Sequence, residues 1–282
     1  MDWSRTLSSI RSALPTEAGS EALRTARDFV GRTAAGPIDE RIAFIRVPKC
    51  ATTAVDSALM RLYLSTWVFE GNGIERIRPG ACDGAVEGTD APTWTARRTM
   101  LAYYLGHPRT RYTSGHVEVC EPMLERFGDE FNFIVTLRDP VDRWISHFLY
   151  NKYGGSDEPG YDINDDIESF LDSNRGRGIG QLFVSYLAGA GGTGPDYRER
   201  DAVQQRARRN LDRFDLVGFV EELDAFTADF ERQFGVELDL PRSNPNPAPI
   251  GPEDISDEVR ARIRDVCDAD VRLYEYARET RG

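Results

Sequence analysis

Short apolar runs alternate with amphipathic segments along most of the chain. Residues 41–47 and 132–137 each form a run of apolar, β-favouring residues, and a third run spans 216–219. Such runs are typical of buried strands. Helical spacing of apolar residues predicts helices at residues 52–63, 140–153, 163–171, 180–188, 201–214, 224–234 and 256–276. Strands that alternate with helices predict an α/β fold, a three-layer α/β/α arrangement with a mostly parallel central sheet.

Three further segments carry weaker patterns. Residues 111–119 alternate between polar and apolar positions, which favours a strand. Residues 70–92 are rich in glycine, proline and acidic side chains, and we expect an irregular insertion there. Apolar positions at helical spacing in residues 1–38 predict a helical N-terminal extension, followed by one α/β domain over 39–282.

Composition excludes several classes of protein. The 282 residues include 35 basic and 47 acidic side chains, for a net charge of −12, which argues against broad nucleic-acid binding. No apolar run is long enough to span a bilayer or to serve as a secretory signal. Four well-separated cysteines and three histidines do not form a metal-binding pattern. We expect a cytoplasmic protein that needs no metal.

The turn after the first strand is the first candidate site. Its sequence runs Pro48, Lys49, Cys50, Ala51, Thr52, Thr53. A strand-to-helix turn directs backbone N–H groups and a helix N-terminus at one point, which favours an anion. Lys49 adds a charge and is one of only two lysines in an arginine-rich chain. The turn lacks the glycines of a Walker A loop. The alternative is a connecting turn with two N-cap threonines.

The second candidate site follows the strand at 132–137. Arg138 stands at its carboxyl end, where open α/β sheets bind ligands. Asp139 and Pro140 then signal the start of a helix. Ser146 follows about two helical turns later, within range of a phosphate held by an arginine. The alternative pairs Arg138 with Asp142 and leaves Ser146 as a surface serine.

The third candidate is His116, which follows Gly115 at the end of the segment at 111–119. The unperturbed pKa of histidine lies near neutrality, so this side chain could act as a general base. A structural role is the alternative, as it is for His107 and His147.

Together these segments resemble the sulfotransferases that use 3′-phosphoadenosine 5′-phosphosulfate (PAPS), in the branch of the heparan and uronyl 2-O-sulfotransferases and their bacterial relatives. The resemblance covers residues 41–150 well and the C-terminal half loosely. The first signature is matched at Pro48, Lys49, Thr52 and Thr53. The second is matched at Leu137, Arg138, Asp139, Pro140, Arg143 and Ser146. Cys50 and Ala51 stand where the family often has glycines.

The resemblance implies a fold, a reaction and a role for each candidate. It implies a P-loop-NTPase-like sulfotransferase fold and transfer of a sulfuryl group from PAPS, without a metal, to an acceptor hydroxyl of a carbohydrate or glycolipid. Lys49 and the turn 48–53 would hold the 5′-phosphosulfate, with Lys49 stabilising the leaving phosphate. Arg138 and Ser146 would hold the 3′-phosphate. His116 would deprotonate the acceptor, since a base with a pKa near neutrality suits that step.

Two other functions and two further segments stay open. The chain could be a non-catalytic module that binds the sulfonucleotide, or a nucleotide kinase of related fold, although the missing glycine-lysine motif counts against the kinase. Residues 189–194 match G-x-G-x-x-G, but no helix begins directly after them, so a flexible loop is the better interpretation. Arg175 and Arg177 lie in a segment predicted to be a mobile loop, where they could close over a phosphate.

Overall fold

The computed structural model describes residues 38–63, 73–153, 162–189, 201–241 and 249–282. Apart from Ile38, the predicted N-terminal extension lies outside these residues. Within them five strands form one parallel sheet. The strands are β1 (Ile42–Ile45), β2 (Ile74–Ile77), β3 (Tyr112–Gly115), β4 (Asn132–Leu137) and β5 (Leu216–Phe219). Their order across the sheet is β2-β3-β1-β4-β5, with β1 at the centre.

Helices connect and cover the strands, and most of the predicted ones are present with shifted ends. They are α1 (Thr52–Leu62), α2 (Pro79–Val86), α3 (Thr93–Gly106), α4 (Glu121–Phe127), α5 (Pro140–Lys152), α6 (Ile167–Asp172), α7 (Asn174–Ile179), α8 (Leu182–Ala188), α9 (Asp201–Leu211), α10 (Leu223–Phe234), α11 (Asp257–Val266) and α12 (Asp268–Arg281). Two short 3₁₀ turns cover Val220–Glu222 and Pro252–Asp254. Among the described residues, no helix is both long and apolar enough to cross a bilayer.

The two faces of the sheet bury different side chains. Because strand side chains alternate, Ile42 and Phe44 of β1 pack with α1 and α10 on one face. Ala43 and Ile45 pack on the opposite face with α3, α4, α8, α9 and α12. A third apolar cluster, around Trp144, joins α5 to α6, α7 and α11. The predicted three-layer α/β arrangement is confirmed, and within the described residues its sheet is entirely parallel.

The parallel sheet brings the candidate segments to one edge. All strands end on the same side, and β3 and β4 are the neighbours of β1. The turn after β1 therefore lies between His116, which follows β3, and Arg138, which follows β4. This is the carboxyl edge at which open α/β sheets bind ligands.

Three predictions of local structure are wrong. Residues 70–92 contain β2 and α2 rather than an irregular insertion, because β2 pairs along its whole length with β3 despite its polar sequence. The expected mobile loop at Arg175 and Arg177 is the short helix α7, which Ser173 caps by accepting a hydrogen bond from the N–H of Gly176. The single C-terminal helix is two helices that meet at Cys267.

Candidate functional site

The turn after β1 has an unusual backbone. Lys49 and Ala51 have φ angles of 67° and 54°, in the left-handed region. This conformation costs a non-glycine residue about 1–2 kcal/mol, so the surroundings must hold the turn in place. The hydroxyl of Thr136 in β4 donates a hydrogen bond of 2.7 Å to the carbonyl of Cys50, between the two strained residues. Cys50 is itself fully buried, which anchors the turn on the core.

The N-terminus of α1 begins at this turn without a side-chain cap. Ala51 is the N-cap residue and offers no acceptor. The alternative of two N-cap threonines is therefore wrong, because Thr52 and Thr53 lie inside the helix. Their N–H groups and hydroxyls make no hydrogen bond to any other described residue. The positive end of an eleven-residue helix is thus open to an anion.

Two cations, Lys49 and Arg138, follow the adjacent strands β1 and β4. Burial and the nearby charge of Arg138 lower the pKa of Lys49 from 10.5 to about 8. The Nζ atom of Lys49 lies 3.5 Å from the centroid of the Tyr150 ring on α5. Neither cation forms an ion pair with another described residue, and the alternative partner of Arg138 is occupied, since Asp142 accepts a 2.7 Å bond from Arg260. Adjacent cations without a counter-charge favour an anionic ligand.

His116 is held in one orientation at the end of β3. Its Nδ1 atom lies 2.6 Å from the main-chain carbonyl of Arg46. A carbonyl only accepts hydrogen bonds, so Nδ1 carries the proton and Nε2 keeps its lone pair. The preceding residue, Gly115, lets β2 approach β3 closely, because a Cβ there would lie only 2.7 Å from the Cβ of Ile77. Burial and the charge of Arg46 lower the pKa of His116 to about 4.

The buried carboxylate of Asp56 pairs with Arg46, the residue whose carbonyl contacts His116. Asp56 on α1 is 1% exposed and accepts a 2.6 Å bond from the hydroxyl of Tyr112. It also pairs with Arg46 at 3.2 Å and with Arg76 at 2.8 Å. Helix α1 therefore connects the uncapped turn at its start to the support of the candidate base.

One face of α5 borders the turn. Arg143, Ser146, His147 and Tyr150 recur at the spacing of a single helix face. Arg143, which the second signature matches, is wholly buried, donates to the carbonyl of Ile179 and pairs with Asp270 at 3.7 Å, so its role is structural. The hydroxyl of Ser146 makes no hydrogen bond to a described residue.

Sequence reasoning did not consider Tyr150 and offered His147 only a structural role. Tyr150 lies four residues after Ser146 and contacts Lys49, and the charge of Lys49 contributes to the low pKa of His147. Their spacing from Ser146 along the predicted helix was the signal that could have found them. Arg175 also acts on His147, although its Nη1 donates to the carbonyl of Asp162.

Two other sequence features lie apart from this site. Lys152, the second lysine, donates to the carbonyls of Asn164 and Asp165. Gly189 ends helix α8, so no strand precedes the glycine-rich tract, of which residues 190–194 lie outside the described part of the chain. In that described part, no group of three or more His, Cys, Asp or Glu side chains is arranged to hold a metal ion.

Comparisons with known proteins do not give a family for this chain. Neither a scan of protein-family models nor a search of curated proteins finds a match for this chain. Its function must therefore be argued from the geometry and from the resemblance of its two signatures.

Proposed function

We propose that this protein transfers a sulfuryl group from PAPS to an acceptor hydroxyl of a carbohydrate or glycolipid. The observation that carries the proposal is that Lys49 and Arg138 follow adjacent strands at one edge of the sheet and that neither forms an ion pair with a described residue. They stand at the uncapped start of α1, on the edge of the sheet that also carries His116. A donor with a phosphosulfate and a separate phosphate supplies the negative charge that these groups lack.

Each group has a role that its chemistry suits. Lys49 and the N–H groups of Thr52 and Thr53 bind the 5′-phosphosulfate, and the ammonium stabilises the charge on the leaving phosphate oxygen. Arg138 binds the 3′-phosphate together with Ser146, whose hydroxyl is not engaged by a described residue. The lowered pKa of Lys49 rises again when the anion binds, because opposite charge favours the protonated ammonium.

His116 accepts the proton of the attacking hydroxyl. Its Nδ1 proton is engaged by the carbonyl of Arg46, so Nε2 is the basic atom. A pKa of about 4 in the free protein keeps the ring neutral at pH 7 but makes it a weak base. The negative charge of a bound donor raises this pKa and so strengthens the base.

The test is calorimetric binding of adenosine 3′,5′-bisphosphate, the product left after sulfuryl transfer. We expect wild type to bind it and Lys49→Ala to lose about tenfold or more in affinity, since one charged contact is removed. Lys152→Ala is the matched control, because it deletes the only other lysine, which bonds main-chain carbonyls elsewhere. We expect this variant to bind like wild type.

The variant His116→Ala distinguishes a sulfuryl-transferring enzyme from a module that only binds the nucleotide. It should bind the bisphosphate like wild type and fail to move labelled sulfuryl from PAPS to a panel of carbohydrates and glycolipids. Unchanged sulfuryl transfer by this variant would refute the assignment of His116 as the general base. Absence of bisphosphate binding by wild type would refute the whole proposal.

A further inference from the structure

His147 is a partly buried histidine to which neither signature gives a role. It follows Ser146 on α5 and shares a helix face with Tyr150, whose ring is 3.5 Å from the Nζ atom of Lys49. Burial and the charges of Arg143, Lys49 and Arg175 lower its pKa to about 3. The ring is therefore neutral at pH 7 although it stands among cations.

The hydrogen bonding of this ring is incomplete. The Nδ1 atom of His147 is buried without a partner, and Nε2 also makes no hydrogen bond to a described residue. One helical turn earlier, Nε and Nη1 of Arg143 are buried without partners as well, and both are donors. A proton on Nδ1 would add another unsatisfied donor among these cations. A proton on Nε2 leaves the Nδ1 lone pair facing positive charge, which is the favourable arrangement.

We propose that His147 donates its Nε2–H to an oxygen of the sulfuryl group being transferred, and so is a further catalytic residue; this inference rests on the proposed function. The assignment follows from its neighbours. His147 lies three residues before Tyr150 on the same helix face, and the Tyr150 ring is 3.5 Å from the Nζ atom of Lys49, which stands at the leaving oxygen. The charge of His116, at the attacking hydroxyl, also acts on the ring of His147. The sulfuryl group passes between those two points.

The proton of His147 stays in place during the reaction. The acceptor oxygen forms a bond to sulfur while the bond from sulfur to the phosphate oxygen breaks, and the electron pair remains on that phosphate. The hydroxyl proton moves to Nε2 of His116. The contribution of His147 is one directed hydrogen bond from a neutral donor, which orients the sulfuryl group without adding charge to the crowded site.

The experiment compares two ligands that differ only in the sulfuryl group. Calorimetry measures the dissociation constants of PAPS and of adenosine 3′,5′-bisphosphate for wild type, His147→Phe, His147→Gln and His147→Asn. We expect the phenylalanine variant to lose about tenfold in affinity for PAPS and to bind the bisphosphate within about twofold of wild type. Glutamine places its amide nitrogen near the position of Nε2 and should restore PAPS binding, whereas asparagine reaches only the position of Nδ1.

Several results would overturn the assignment. Equal weakening of both ligands would give His147 a purely structural role, and unchanged PAPS binding in the phenylalanine variant would remove it from the site. Rescue by asparagine instead of glutamine would place the donor on Nδ1. If the phenylalanine variant does not fold, the comparison of glutamine with asparagine decides alone. Failure of wild type to bind either ligand would refute the proposed function instead.

Discussion

At the scale of single residues, two buried threonines in the strands that flank β1 provide a controlled comparison. Thr136 in β4 donates to the carbonyl of Cys50, whereas the hydroxyl of Thr113 in β3 is buried without a partner. Thr136→Val leaves a buried carbonyl unsatisfied and should lower the free energy of unfolding by about 1–3 kcal/mol. Thr113→Val removes an unpaired hydroxyl and should be neutral or stabilising.

Urea denaturation of both threonine variants measures the difference. Because Thr136 holds the strained turn, its variant should also bind adenosine 3′,5′-bisphosphate more weakly, while the Thr113 variant should bind it like wild type. Equal losses of stability in the two variants would mean that the bond to Cys50 does not support the turn.

At the scale of elements, the start of α1 depends on a left-handed residue that is not glycine. Ala51 has a φ of 54°, so Ala51→Gly relieves strain, and this gain is partly offset by the entropy of glycine in the unfolded chain. We expect the variant to be as stable as wild type or more stable by up to about 1 kcal/mol. The same exchange three residues later, Ala54→Gly, lies inside the helix and should cost about 1 kcal/mol.

Thermal unfolding of the two glycine variants is the measurement. A lower melting temperature for Ala51→Gly than for Ala54→Gly would contradict the left-handed assignment of the turn. The resemblance points the same way, since the sulfotransferases whose signatures this chain resembles often carry glycine where it has Cys50 and Ala51.

Two physical causes explain several of the elements that sequence reasoning missed. Strand β2 reads Ile-Glu-Arg-Ile and is partly exposed at the sheet edge, so its pairing with β3, rather than an apolar pattern, defines it. Helices α2 and α7 each contain two glycines, which mask helical propensity. Strands β1 and β4 were predictable because both of their faces are buried.

In the candidate site, too, the sequence predicts local features but not contacts between distant residues. The positions of Lys49, Arg138 and His116 at strand ends could be predicted, because each follows a recognisable apolar or alternating run. The support of His116 by the carbonyl of Arg46, and the occupation of Asp142 by Arg260, depend on contacts between residues 70 and 118 positions apart. Such contacts leave no local pattern in one sequence.

At the scale of the whole molecule, overall charge and site charge have opposite signs. The chain carries a net charge of −12, yet Lys49 and Arg138, neither of which forms an ion pair with a described residue, stand at one edge of the sheet. A negative molecule repels a densely sulfated polymer at long range, whereas a compact donor that enters the site meets the local cations. The charge distribution therefore suits a small anionic donor and leaves acceptor recognition to local groups.

Two neutral histidines also make the stability of the whole molecule depend on pH. Burial lowers the pKa of His116 to about 4 and of His147 to about 3, from 6.5. Between pH 6.5 and 4 the unfolded chain binds more protons than the folded one, so stability falls as pH is lowered through this window. From pH 7.5 to 5.0 we expect a loss of about 1–2 kcal/mol for each histidine.

Urea denaturation at these two pH values measures how the free energy of unfolding depends on pH. Carboxyls whose pKa is raised, such as those of Glu75 and Asp215, act in the opposite direction, so the informative quantity is the difference between variants. His147→Gln cannot take up a proton and should lose less stability than wild type over the same interval. Equal losses of stability in wild type and His147→Gln would mean that protonation of His147 does not contribute to the pH dependence. That result would also contradict the proposed role of His147, which requires a neutral ring.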